Sequence, residues 1–152
     1  MTSTMYPIET FTPVRAANQR DVLSLTLPPL RLLRVAFVGV GARGRQAVMR
    51  WCHIPGVEIV AVCDSVKSTA EEVSRQVAQL GNPRPAVFSG ESAYIELCQL
   101  PAVNLIYICT DWLSHAPIAV HAMQNRKNVA VEVPAALSLK DIWQLIDTAE
   151  RT

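Results

Sequence analysis

No stretch of this sequence approaches the roughly 20 apolar residues needed to cross a bilayer as a helix. The segment from Met1 to Arg20 also lacks the basic end and apolar core of a secretory signal. Neither sign of charge dominates: 14 Lys and Arg stand against 13 Asp and Glu, for a formal net charge of +1. That balance gives no reason to expect nucleic acid or an anionic membrane as a partner. The four cysteines, Cys52, Cys63, Cys98 and Cys109, make no Cys-x-x-Cys pair and have no zinc spacing, so no metal site is expected. Reduced thiols and a cytoplasmic home are the default reading. Internal repeats and low-complexity tracts are also missing. What remains is a 152-residue chain, 50% hydrophobic and 18% charged, about enough for one globular domain around one core.

The chain does contain an apolar run, Leu33 to Val38, that breaks into Gly39-x-Gly41-x-x-Gly44, with Asp64 twenty positions after Gly44. The run reads as a parallel strand buried on both faces. Gly39 permits a tight turn out of it. Gly41, without a Cβ, lets a pyrophosphate approach the backbone, and Gly44 lets the next helix pack closely on the sheet. A helix opening near Ala42 would aim free N–H groups and its positive dipole end at phosphates. A second strand, Val57 to Cys63, ends on Asp64, where a carboxylate can accept hydrogen bonds from an adenosine ribose and repel a 2′-phosphate. This pattern favours NAD over NADP, although Arg43, Arg45 and Lys67 could pair with an extra phosphate. The bland alternative is a glycine-rich turn that binds no nucleotide, with Asp64 capping the next helix.

Residues 1–32 read as a leader that is ordered only where it lies against something else. From Leu33 to Thr152, strands and helices alternate. The spacing predicts helices over Ser68–Leu80 and Glu91–Leu100, one starting near His115 to Pro117, and one opened by the capping pattern Ser138-x-x-Asp141. Strands are expected at Ala86–Phe88, Leu105–Cys109 and Asn128–Glu132. The alternation implies an α/β, doubly wound Rossmann domain with a parallel sheet of about five strands in the order 3-2-1-4-5. In such a sheet a ligand binds beyond the carboxyl ends of the strands, between the first and fourth. This selects Thr110, Asp111, Trp112 and His115 after the fourth strand, and Glu132, Val133 and Pro134 after the fifth. Trp112 offers a flat face and Thr110 a hydroxyl. Their competing readings are helix capping by Thr110, Asp111 or Ser114, local packing of Trp112, and a solvated His115.

The stretches VAFVGVGARGR, VEIVAVCDS, YICTDWLSHAPIAVHAM and NVAVEVPAA resemble the nucleotide-binding half of the glucose–fructose oxidoreductase and inositol dehydrogenase (Gfo/Idh/MocA) family. Within it they are most similar to the branch of NAD-dependent α-N-acetylgalactosaminidases, which keeps a Trp and a His after the fourth strand and Glu-Val-Pro after the fifth. The resemblance implies NAD as cofactor. It also implies Gly39, Gly41, Gly44, Asp64, Thr110, Trp112, His115 and Glu132 as cofactor-site positions; Ala42 and Arg43 join them from the helix start. His115 is the one catalytic candidate. Dehydrogenases of the family carry Glu-Lys-Pro, and their lysine helps move the proton of the alcohol being oxidised. Val133 stands at that place and cannot do so. The glycosidase branch is described as oxidising a sugar hydroxyl transiently, eliminating the leaving group, adding water and returning the hydride.

A family member would continue past Thr152 into a sixth strand and a substrate domain. The expectation is therefore a cofactor-binding piece that lacks the substrate domain, binds without turnover and self-associates. Its parent would act on a sugar. The alternatives are a fragment of an NAD(P)-dependent sugar or polyol dehydrogenase, a stand-alone NAD-binding sensor, and an assembly domain that kept the fold without the ligand.

Overall fold

The computed structural model describes residues 14–152, so the first part of the leader lies outside the described residues. Five parallel strands form one sheet in the order β3-β2-β1-β4-β5. They are β1 (Leu33–Val38), β2 (Val57–Asp64), β3 (Ala86–Ser89), β4 (Leu105–Ile108) and β5 (Asn128–Val131). The helices that connect and follow them are α1 (Ala42–Trp51), α2 (Lys67–Gln79), α3 (Ala93–Cys98), α4 (Trp112–Gln124) and α5 (Leu139–Arg151). The Rossmann order expected from the alternation is the order observed.

Side chains alternate across each strand, so β1 feeds two cores at once. Val35 and Phe37 face one layer with Val62, Val48, Val73 and Val77; Ala36 and Val38 face the other with Ile106, Ile108, Leu97 and Ile118. Phe37 stacks on Tyr107 at 5.1 Å between ring centroids, and Trp51 of α1 meets both rings edge-on at 5.7 and 5.2 Å. Burial of this central strand on both faces is why it reads as an unbroken apolar run.

Two helices depart from the sequence expectation by more than a single residue at an end. Helix α4 opens at Trp112, upstream of the start expected near His115 to Pro117. Asp111 is its N-cap, accepting from the N–H groups of Leu113 and Ser114, and Pro117 falls inside the helix. Helix α3 is shorter than expected, Ala93–Cys98 rather than Glu91–Leu100. The Ser138 cap forms as expected: its hydroxyl oxygen accepts from Asp141 N–H at 3.1 Å and the hydroxyl donates to the Asp141 carboxylate at 2.7 Å.

The described part of the leader docks on α5. Glu150, 4% exposed, accepts from the Arg15 guanidinium at 2.8 Å, the Gln19 amide at 2.7 Å and the Val22 N–H at 2.8 Å. Arg15 also lies over the Trp143 ring, 5.9 Å from its centroid. All four cysteines are free thiols. Among the described residues no helix is long and apolar enough to cross a membrane.

Candidate functional site

The glycine turn sits at the carboxyl end of β1, and each of its glycines meets a different constraint. Gly39 has a φ of +82°, and a Cβ there would lie 2.6 Å from the Cys109 carbonyl oxygen. A Cβ on Gly44 would lie 1.9 Å from the carbonyl oxygen of Gly39, so α1 rests directly on the turn that precedes it. A Cβ on Gly41 would meet nothing within 4 Å. Among the described residues its missing side chain therefore serves no contact, and the space beside it is open. Gly41 is also the N-cap of α1, whose first N–H groups, from Ala42 onward, have no side-chain cap.

That open space belongs to a cleft of about 700 Å³ across the carboxyl ends of β1 to β4. Val38, Gly39 and Gly41 line it from the turn, Asp64 from β2, the segment Gly90–Ser92 from the β3 end, and Thr110 and Asp111 from the β4 end. Asp64 fastens the region together. One carboxylate oxygen accepts from Val40 N–H inside the glycine turn at 2.9 Å, the other from Val66 N–H ahead of α2 at 3.0 Å. It thus braces the turn and the start of α2 while facing the cleft. Burial pushes the Cys63 and Cys109 thiols up to about 12, so these two sulfurs at the cleft floor stay protonated.

Arg43 and Glu132 meet beside the cleft. The guanidinium spans both carboxylate oxygens, at 3.2 Å from Nε and 3.3 Å from Nη2, and joins the first turn of α1 to the end of β5. The Tyr107 hydroxyl donates to the same carboxylate at 3.0 Å. The bond from Arg43, helped by Tyr107, holds the Glu132 carboxyl below its ordinary range, whereas burial and then Glu132 raise the Tyr107 phenol. Asp111 is lowered chiefly by the Ser114 hydroxyl bonded to it at 2.7 Å.

Trp112 opens α4 and is 60% exposed, outside the residues that line the cleft. His115 is not the solvated side chain considered from the sequence. It is 1% exposed, with Nε2 3.1 Å from the Thr110 carbonyl oxygen and Nδ1 2.8 Å from that of Pro134. The ring lies between the loop after β4 and the loop after β5, donating to one carbonyl or the other according to its tautomer. Gly39, Gly41, Asp64 and Thr110 therefore come together in the cleft; Ala42, Arg43 and Glu132 flank it; Gly44 and His115 stand behind it.

Tyr107 and the Gly90–Ser92 segment did not emerge from the sequence. A hydroxyl in the otherwise apolar Leu105–Cys109 run was a usable signal for Tyr107. The rule that places ligands at strand carboxyl ends applied equally to the end of β3.

Fold and turn together define a dinucleotide-binding Rossmann domain. Comparison makes the assignment specific: residues 33–152 match the Gfo/Idh/MocA model, described as an oxidoreductase family with an NAD-binding Rossmann fold. The chain belongs to this family and is its NAD-binding domain. Among curated proteins it is similar to glycosyl hydrolase family 109 protein 1 of Bacteroides thetaiotaomicron, 46% identical over 96% of the chain and 32% of that protein. The protein of the same name from Phocaeicola vulgatus is 47% identical over 96% of the chain and 31% of that protein. The chain thus spans about a third of the length of these relatives.

Among solved structures, myo-inositol dehydrogenase from Lactobacillus casei with NAD(H) and myo-inositol matches with a TM-score of 0.69 at 24% identity, over 77% of this chain and 33% of that one. A 3-ketoreductase from Actinomadura kijaniata with NADP matches with a TM-score of 0.66 at 19% identity, over 79% and 36%. These distant structures share the fold; one holds NAD(H) and the other NADP, so fold alone does not discriminate between the cofactors.

Proposed function

We propose that the chain is the cofactor-binding part of an NAD-dependent glycosidase that acts by transient oxidation of a sugar hydroxyl. One observation carries the choice of glycosidase over dehydrogenase. At the end of β5, next to Glu132, Val133 is 81% exposed and presents an apolar side chain where the family's dehydrogenases present a proton-carrying lysine. Relatives named glycosyl hydrolase family 109 support the same choice.

Bound NAD would supply a reversible hydride acceptor. The chain's own residues fit it: the free N–H groups of α1 face the open space at Gly41, suited to a pyrophosphate. Asp64 would take the adenosine ribose and Thr110 would lie beside the cofactor. The exposed Trp112 indole would offer a flat wall at the mouth, and Glu132, fixed by Arg43 and Tyr107, would lie at the nicotinamide end. His115 is buried between the Thr110 and Pro134 carbonyls and does not line the cleft, so it acts by positioning rather than by taking a substrate proton. The substrate proton acceptor and the sugar-binding surface would come from outside residues 1–152. We assign residues 1–32 to a leader, whose described part docks on α5, and 33–152 to the cofactor domain, and place the protein in the reducing cytoplasm on the strength of its unpaired thiols.

The test joins this chain at Thr152 to the remainder of the Bacteroides thetaiotaomicron relative. The chimera should release the aryl group of an aryl α-N-acetylgalactosaminide, lose that activity when NAD is stripped and regain it on adding NAD back, with no net NADH. Net NAD reduction with simple polyols instead would favour the dehydrogenase reading.

A further inference from the structure

The charged residues lining the cleft are Asp64, Glu91 and Asp111; among the described lining residues there is no lysine or arginine. For a site that takes an anionic ligand, three carboxylates are the wrong sign unless they are aimed at part of that ligand. Two of them have structural duties. Asp64 accepts from the Val40 and Val66 N–H groups, and Asp111 caps α4. Glu91 has no such duty: it is exposed and, among the described residues, takes part in no ion pair or side-chain hydrogen bond.

The Glu91 loop is fastened to the end of β2. Gly90 N–H donates to the Asp64 carbonyl at 3.1 Å, and Ser89 stands opposite Asp64 in the β2–β3 register. Strand order puts this loop beyond Asp64 on the side away from the glycine turn, past the position proposed for the adenosine ribose. Of the cations that could offset it, Arg43 is engaged by Glu132 at the β5 end and Lys67 by Glu71 at 3.7 Å, and Arg45 does not line the cleft. Ser65 and Ser92, which also line the cleft, can hydrogen-bond a hydroxyl or a phosphate alike, so charge rather than hydrogen bonding makes the distinction here.

We propose that Glu91 is a selectivity residue of the cofactor cleft. Acting with Asp64, it rejects a dinucleotide that carries a phosphate on its adenosine ribose, and it leaves NAD binding unaffected. The proposal deepens the NAD assignment and rests on it. A phosphate monoester carries nearly two negative charges at neutral pH, and a carboxylate within the screening distance of about 8 Å repels it without needing contact.

The experiment measures NAD and NADP affinities by calorimetry for the wild-type chain, Glu91→Gln and Glu91→Lys, each at low and high salt. Glu91→Gln should tighten NADP binding about fivefold and Glu91→Lys about 20-fold, with NAD changed less than about twofold and the gains shrinking in high salt. NAD binding by the wild type with NADP affinity unmoved in both variants overturns the proposal and leaves the NAD assignment standing. A parallel loss of both affinities marks a structural role for Glu91 and also overturns it. Wild type that binds neither cofactor overturns the proposal together with the assignment beneath it.

Discussion

Gly41 and Gly44 lie three residues apart and answer to different forces. Gly44 is a packing glycine, because any Cβ would collide with the Gly39 carbonyl. Gly44→Ala should cost about 1–3 kcal/mol of stability, visible as a lower melting temperature without ligand. Gly41 has open space beside it, so Gly41→Ala should melt like the wild type yet bind NAD about tenfold more weakly, because the methyl projects toward the phosphate position. A loss of stability in Gly41→Ala with normal binding would reverse these roles. At the neighbouring ion pair, Arg43 keeps the Glu132 carboxyl below its ordinary value. A carboxyl with a lowered folded-state value stabilises the fold above the ordinary range near pH 4, and the benefit fades as pH falls through the lowered value. Melting curves of wild type and Glu132→Gln should therefore differ at neutral pH and converge in acid.

Among the elements, α5 and the leader meet around Glu150, with Gln19 also donating to Asp147 at 2.9 Å and Arg15 lying over Trp143. Glu150 collects an arginine, an amide and a backbone N–H from three leader residues. Glu150→Ala should cost about 2 kcal/mol, the scale of a hydrogen bond to a charged group, and should expose Arg15 and Arg20 to faster tryptic cleavage. Unchanged cleavage would show that other contacts hold the leader. Local signals defined most of the other elements. The strand-then-glycine boundary of β1 and the Ser138 cap of α5 are written within a few residues. For α4 the sequence offers both a start near His115 to Pro117 and a cap at Thr110, Asp111 or Ser114, and the structure takes the Asp111 cap. That cap works because the Asp111 carboxylate reaches two N–H groups of the first turn, an arrangement of side chain and backbone that residue identity alone leaves open.

At the scale of the whole molecule, the sheet ends on β5, which among the described strands pairs only with β4. Beyond it Val133, Leu137, Leu139 and Ile142 are 81, 51, 70 and 42% exposed. An open strand edge beside apolar side chains invites pairing, so light scattering over a concentration series should show self-association; a strictly monomeric species throughout would count against it. Ligand binding is also read at this scale. NAD at about 100 times its dissociation constant should add about 2.7 kcal/mol to stability, and equal NADP less, as measured by thermal shift.

The sequence by itself determined the sheet and its order. Burial of β1 on both faces demands an apolar run, a turn that lacks room for a Cβ demands glycine, and alternating strands and helices with right-handed crossovers leave few topologies. The same local chemistry marked Gly39, Gly41 and Asp64 as residues that would meet at one place. Tertiary structure alone decided what each polar side chain would touch. Arg43 finds Glu132 across 89 positions, Tyr107 finds it across 25, and Glu150 is met by Arg15 across 135. His115 is buried between two backbone carbonyls, and among the described residues Glu91 is left unpaired on the cleft wall. Backbone periodicity repeats every few residues and so can be read along the chain. The partner of a charge is set by which loops the completed sheet brings side by side.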